Sequence, residues 1–307
     1  MGQIELGWGL DVILWFQSWR TPLIETLGLF FHFAGSEDFY LILLPLIYWC
    51  IDARLGRQLS LFFMIAAWSN AWLKAWWKRP RPFQVSPEVR NVVTETSYGL
   101  PSGHAHLSTA LWGGIALEVR RRWATLLIAL YLLLMALSRM ALGVHFPQDV
   151  IGGLLIGLAS VAVYAWSLPK LGAWLEDRGL WVQIGLVVVV TALMLIIHPG
   201  LIPVTSPDGL AGAVTPAGAF LGMGIGFALE VRSVRFDARG RLWKRLLRFL
   251  IGMIGVMILR FGLGALFGGL EPALIFRLVR YGLIGLWAGF GAPWVFVKAR
   301  LADRRIE

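Results

Sequence analysis

Cysteine is nearly missing from this 307-residue chain: Cys50 stands alone, which excludes an intrachain disulfide framework and a thiolate metal cluster. Charge is scarce too, at 15% of residues, whereas soluble domains carry roughly a quarter. No stretch reads as a long soluble domain between the apolar segments, so a water-soluble globular class is excluded. The start, Met1 to Glu5, lacks a basic region and a cleavage site, and the first apolar segment is expected to stay in the protein. What remains is apolar, with 58% hydrophobic residues and 16 Trp, many near the ends of apolar stretches, as in the aromatic belts of membrane interfaces. The net charge of +10 is read as basic loops that orient a membrane protein, and no nucleic-acid partner is implied.

A hydrocarbon core of about 30 Å needs about 20 apolar residues per helix, and such stretches recur along the chain. The segment Trp8 to Trp19 reads as an interfacial helix leading past Pro22 into a first span that ends near Gly35. Further spans are predicted at Phe39–Ile51, Gln58–Trp77, His104–Val119, Trp123–Leu142 and Gln148–Leu168. Four more follow at Leu180–Ile197, Leu210–Leu229, Leu246–Phe267 and Ala273–Val297. The expected fold is an all-α, multi-spanning membrane helix bundle of about ten spans. Gly218, Gly222, Gly224 and Gly226 predict close helix packing in the second half. One face collects Arg54, Arg57, Arg120 to Arg122, Lys170, Arg178, the run Arg232 to Arg248 and the C-terminal Lys and Arg residues, and is assigned to the cytoplasm. On that reading Ala238 is cytoplasmic, whereas Ser206 shares the opposite face with a few basic residues that need a local reason.

Three clusters supply that reason. In the first, Lys74, Lys78, Arg79 and Arg81 crowd a helix end where Pro80 and Pro82 force an extended exit. A snorkelling helix end is the plain alternative, but cations on this face suit an anionic ligand. In the second, Pro101-Ser102-Gly103-His104 opens an apolar helix, so backbone N–H groups and the Ser102 hydroxyl can cradle an anion while His104 exchanges a proton. An ordinary capped helix start reads the same way. In the third, Ser138-Arg139 closes one helix and His145-Phe146-Pro147-Gln148-Asp149 opens the next. A carboxylate four residues after a histidine can accept its Nδ1–H and leave Nε2 as a nucleophile or base. All three clusters lie at the ends of consecutive spans on one side of the membrane.

Together these residues resemble the type 2 phosphatidic acid phosphatase superfamily. Its signatures are Lys, six residues, Arg-Pro; Pro-Ser-Gly-His; and Ser-Arg, five residues, His, three residues, Asp. Lys74 with Arg81 and Pro82, Pro101 through His104, and Ser138, Arg139, His145 and Asp149 match without a gap. The resemblance covers roughly residues 20 to 170 and leaves about 130 residues outside it. It implies a six-helix phosphatase core at 1–172 and a helical extension of about four spans at 173–307. It further implies that Lys74, Arg81, Ser102, Gly103 and Arg139 bind phosphate, that His145 attacks phosphorus, that Asp149 orients it, and that His104 handles the leaving group. No metal and no cofactor are expected, since the cations can stabilise charge and no paired carboxylates stand beside the clusters.

The implied substrate is a lipid phosphate in the bilayer: a sphingoid base phosphate, phosphatidate, phosphatidylglycerophosphate or polyprenyl diphosphate. Ser97-Tyr98-Gly99-Leu100 before Pro101 and the extra C-terminal spans are similar to sphingosine-1-phosphate phosphatases. The alternatives are a sugar phosphatase of the glucose-6-phosphatase type, which also carries extra spans, and a lipid transporter on the same scaffold, against which the intact catalytic positions count. A bacterial cytoplasmic membrane with the site on its outer face is the expected location. Arg260, inside a predicted span, is expected to pair with Glu271 or backbone carbonyls, or else Arg260, Arg277 or Arg280 is expected to meet a second anionic group on the substrate.

Overall fold

The computed structural model describes residues 3–199 and 207–305, so Ser206 lies outside the described residues. Regular structure there is helical, apart from one antiparallel bridge between Phe236 and Arg304. The helices are α1 (Gln3–Ser18), α2 (Pro22–Ala34), α3 (Glu37–Leu46), α4 (Ala53–Trp77), α5 (Pro82–Val85), α6 (Gly103–Val119) and α7 (Arg122–Ala141). After them come α8 (Pro147–Glu176), α9 (Leu180–Ile196), α10 (Pro207–Leu229), α11 (Leu242–Leu266), α12 (Ala273–Leu286) and α13 (Ala292–Lys298). Five-residue π turns follow α3, α10 and α12.

Among the described residues five stretches are long and apolar enough to cross a bilayer: Arg122–Ala141, Pro147–Leu168, Leu210–Val234, Leu242–Leu266 and Ala273–Lys298. The chain is a multi-pass membrane protein. The two spans expected around Gly35 take another form, because α2 and α3 are bent by 55° at the break between them. The 13 residues of α2 reach only about 20 Å at 1.5 Å each, short of a bilayer core. The pair therefore forms a single broken span or a re-entrant hairpin. The helices α4, α6 and α9 are not among these: α4 is long enough but diluted by Ser60, Ser69, Asn70 and Lys74, and α6 and α9 have 17 residues each.

Packing divides the chain into two compact units. The first holds the residues through Tyr40 together with Ser69–Trp166. Here α7 packs on α1, α2 and α6. Glycine sets the approach of α8 to α6, because a Cβ at Gly153 would come 2.7 Å from the Ser102 carbonyl and one at Gly157 would come 2.5 Å from Thr109 Cβ. The outward faces are apolar: Leu126, Leu127, Leu130 and Leu133 on α7 and Ile151, Leu155 and Leu158 on α8 are all exposed. Removing such a side chain from water is worth about 1.5–3 kcal/mol, which drives these faces into lipid.

The second unit holds Leu41–Trp68 and the described residues from Ser167 on. Its centre is the crossing of α10 and α12, where a Cβ at Gly222 would overlap the Gly282 carbonyl, as the glycine spacing predicted. Tyr48 and Trp49 donate to the carbonyls of Gly289 and Ala288, both at 3.0 Å, and Arg57 pairs with the buried Glu230 at 3.0 Å. Among the basic residues of the tail, Arg277 donates to Thr215 Oγ1 at 3.1 Å and Arg260 lies over the Phe261 ring. Glu271 accepts from the backbone N–H of Ala273 at 2.8 Å.

Candidate active site

Every residue singled out in the three motifs lies in the first unit. α4 stops after Trp77 because Pro80 and Pro82 leave no N–H for a continuing helix. Its last turn buries Lys74, whose Nζ donates to Ser97 Oγ at 2.8 Å. Lys78 turns outward and is exposed, whereas Arg81, at 0% exposure, points inward. The Arg81 fork is fully engaged. Its Nε donates to the Ser97 carbonyl at 2.6 Å, and Nη1 donates to the Val144 carbonyl at 3.0 Å and to His145 Nε2 at 3.2 Å. The remaining Nη2 reaches Glu95 at 3.1 Å and Ser97 Oγ at 3.0 Å. Burial lowers the proton affinity of this guanidinium, and the nearby Glu95 and Asp149 carboxylates oppose that effect.

The second motif opens α6 with Ser102 as N-cap, its hydroxyl accepting from the Ala105 N–H at 3.5 Å. The Ser102 N–H donates to the Asp149 carbonyl at 2.9 Å, which ties this motif to the third through the backbone. Beneath it Asn70 reaches the Pro101 carbonyl at 3.5 Å and His106 Nδ1 at 3.2 Å, while His106 Nε2 meets Ser160 Oγ at 3.2 Å. Gly103 sits on this layer, where an added Cβ would stand 3.2 Å from Asn70 Oδ1.

His145 lies in the turn between α7 and α8, buried at 1% exposure. Asp149, at the third position of α8, reaches back to accept from the Phe146 N–H at 3.0 Å, one half of a capping box. Because Arg81 can only donate, His145 Nε2 carries the lone pair and the proton sits on Nδ1. That Nδ1 faces Asp149 Oδ2 at 3.6 Å, an ion-pair distance and too long for the hydrogen bond the sequence suggested. Burial first, and then the charges of Arg81 and Lys74, hold the His145 imidazole well below its usual pKa, so it is neutral near pH 7. An uncharged imidazole with an unprotonated Nε2 can attack an anionic phosphorus centre once Arg81 turns that N–H from the ring to the phosphate.

Arg139, in the last turn of α7 and at 0% exposure, donates from Nε to Ser138 Oγ at 3.2 Å, from Nη1 to His32 Nδ1 at 3.1 Å and from Nη2 to the Gly28 carbonyl at 3.3 Å. His104 Nε2 meets the His32 carbonyl at 3.0 Å, and the two rings stack with centroids 5.0 Å apart. The cage also holds Arg79, already counted in the first basic cluster, together with residues that the motifs do not include. Arg79 stands 3.7 Å from Asp149 Oδ1 and covers the Phe146 ring. Glu95 and Ser97 bind the cations from the loop before Pro101. His32 comes from α2, and Asn70 and His106 support the second motif. Of the residues outside the motifs, only Ser97 and His106 had a signal, by lying beside them.

His32, Glu95 and His104 bring one potential ligand atom each within 4.8 Å of one another. Their engagement argues against a resident divalent ion. His32 Nδ1 accepts from Arg139, and Lys74, Arg81 and Arg139 surround the position with positive charge. This donor set suits an anion.

Two family models match the chain. The PAP2 superfamily covers residues 56–173, and a model described as PAP2 superfamily phosphatase, transmembrane extension, covers residues 214–304. The second match brings into the family most of the tail that the motifs left outside it. Sphingosine-1-phosphate phosphatase 2 of Mus musculus is 31% identical over 145 residues, 44% of this chain and 40% of that protein. Dihydrosphingosine 1-phosphate phosphatase YSR3 of Saccharomyces cerevisiae is 27% identical over 175 residues, 53% of this chain and 43% of that protein. Glucose-6-phosphatase 3 of Mus musculus is 30% identical over 165 residues, 46% of this chain and 47% of that protein. The chain spans less than half the length of each of these relatives.

Proposed function

We propose, for a chain that belongs to the PAP2 superfamily, that it is an integral membrane lipid phosphate phosphatase working through a phosphohistidine on His145. The observation that carries this reading is His145 Nε2, unprotonated and 3.2 Å from Arg81 Nη1 inside a buried ring of cations. Lys74, Arg81 and Arg139, with Ser102 and the Gly103 backbone, bind the phosphate oxygens. Nε2 of His145 attacks phosphorus, the bond to the lipid oxygen breaks, and protonated His104 gives its proton to the departing alkoxide. In the second step His104 takes a proton from water, the water oxygen attacks phosphorus, and the P–N bond breaks to free orthophosphate and His145. Asp149 stabilises the His145 imidazolium character that develops, and Arg79 stands 3.7 Å from its carboxylate as a counter-charge.

The substrate class follows from the bilayer setting and from the relatives named as phosphatases of sphingoid base phosphates: a phosphomonoester or diphosphate of a lipid. The relative named glucose-6-phosphatase 3 supports the second reading, a membrane sugar phosphatase. We place the site on the non-cytoplasmic face of a bacterial cytoplasmic membrane, because the basic loops favour the other side. The division near residue 172 is proposed as one of chemistry, with catalysis before it and an auxiliary helical extension after it. Purified protein in detergent, assayed for phosphate release from lipid and sugar phosphates with His145→Ala as control, tests the reading. Release that persists in EDTA, stops with vanadate and is lost in His145→Ala is expected. Strict metal dependence or wild-type turnover by His145→Ala overturns it.

A further inference from the structure

The active-site motifs leave α2 without a role, yet its last turns touch two of the groups that do chemistry. Arg139 needs acceptors to hold its guanidinium, and two of the three come from α2: the Gly28 carbonyl and His32 Nδ1. His104 rests on the same turn. Its Nε2 lies 3.0 Å from the His32 carbonyl, which can only accept, so the proton sits on Nε2 and the lone pair on Nδ1. Gly35 makes room for this ring: a Cβ there would stand 2.5 Å from His104 Cδ2.

From these contacts we infer that His32 is a positioning residue of the active site. Its carbonyl anchors Nε2–H of His104, its imidazole holds Arg139, and Nδ1 of His104 is therefore the nitrogen that exchanges protons with the substrate. The inference rests on the phosphatase reading above. In the first step the imidazolium Nδ1–H passes to the lipid alkoxide as the P–O bond breaks, leaving the lone pair on Nδ1. In the second step that lone pair takes the proton of the attacking water. The carbonyl serves His104 as an orienting carboxylate serves a catalytic histidine, by fixing the tautomer and favouring the charged form. His32 itself is neutral in this arrangement, because Arg139 Nη1 donates to its Nδ1, and its remaining proton is on Nε2.

The two contacts predict two separable defects. His32→Leu removes the acceptor that holds Arg139 and keeps the backbone carbonyl, so KM for a lipid phosphate should rise about tenfold with a smaller change in kcat. His32→Asn restores an acceptor oxygen near the place of Nδ1 and should return KM to within about twofold of wild type. Gly35→Ala pushes the His104 ring from its carbonyl and should lower kcat by about 100-fold with KM little changed. The experiment measures kcat and KM for phosphate release by the purified full chain and checks folding by thermal unfolding. Folded His32→Leu with wild-type constants, His32→Asn as impaired as His32→Leu, or Gly35→Ala with wild-type kcat overturns the inference. If His32→Leu does not fold, His32→Asn and Gly35→Ala decide, since near-normal KM in the first and a selective kcat loss in the second support it. A wild-type chain that releases no phosphate from any ester removes the phosphatase reading itself; an active wild type with indifferent variants removes only the role of His32.

Discussion

Glu95 poses an electrostatic question, since it sets a carboxylate 3.1 Å from Arg81 Nη2 in the cage proposed to bind phosphate. Every N–H of the Arg81 fork is already engaged, so an incoming phosphate has to take the place of a present acceptor. Glu95 is the partner best replaced, because it carries negative charge that repels a phosphate, and its side chain keeps 17% exposure to water. Two unit charges 4 Å apart interact by about 4 kcal/mol at an effective dielectric of 20. Partial solvation brings this toward the value of a charge-assisted hydrogen bond, about 1.5–3 kcal/mol. Glu95→Gln keeps the side-chain length and an oxygen for Arg81 but removes the charge. Losing even the lower end of that range as competition should tighten orthophosphate binding about tenfold, since 1.4 kcal/mol is a factor of ten. The assay is the inhibition constant of orthophosphate against phosphate release by purified Glu95→Gln and wild type. An unchanged or weaker inhibition constant refutes the reasoning and makes Glu95 a support of Arg81 instead of a competitor of the substrate.

Asp149→Asn should lower kcat by about 10²–10⁴-fold while the protein stays folded, as expected when a histidine loses its orienting carboxylate; a rate within a few fold of wild type contradicts that role. The depressed His145 pKa keeps the nucleophile unprotonated as pH falls through the ordinary imidazole value of about 6.5, so the acid limb of kcat/KM should lie below it. The unfolded chain binds this proton near that pH and the native chain does not, so the same group should make stability fall on acidification. An acid limb at or above the ordinary imidazole value would count against the nucleophile assignment. For orientation, Asn91 and Arg121 are better labelling positions than Ala238, which the fold buries at 2% exposure. Impermeant thiol reagents applied to intact cells should reach Asn91→Cys and not Arg121→Cys, and the reverse pattern overturns the outer-face assignment.

What could be read from the sequence had a short period or a fixed spacing. Apolar runs gave the helices of the second half, and the glycines of α10 gave its close crossing with α12. The grouping of the motif residues was legible for the same reason. Lys74 with Arg81, Ser102 with His104, and His145 with Asp149 lie within one turn or one loop of each other, so backbone geometry alone brings each set together. The bend between α2 and α3 was not legible, because an apolar segment interrupted by Gly35 and Ser36 has the same composition whether it runs straight as two spans or turns by 55°.

The residues that the motifs missed are those whose partners are distant in sequence. His32 and Arg139 are separated by 107 positions, and His32 and His104 by 72. Nothing about a histidine in an apolar helix tells a buried polar contact from a catalytic support, because the difference lies in which groups the fold places against it. The same holds for Glu95, which sequence alone would leave as a loop carboxylate. Its place becomes meaningful once three buried cations converge near it, since isolated buried charges of one sign are costly and draw a counterion. A cage that takes phosphate, as proposed, must therefore be stable without it, and internal acceptors provide that stability at the expense of affinity. Glu95, the carbonyls of Ser97 and Val144, and the imidazole of His32 are such acceptors here. On the proposed function their number limits how tightly product can bind, which favours turnover, since an enzyme that holds orthophosphate strongly would be inhibited by what it makes.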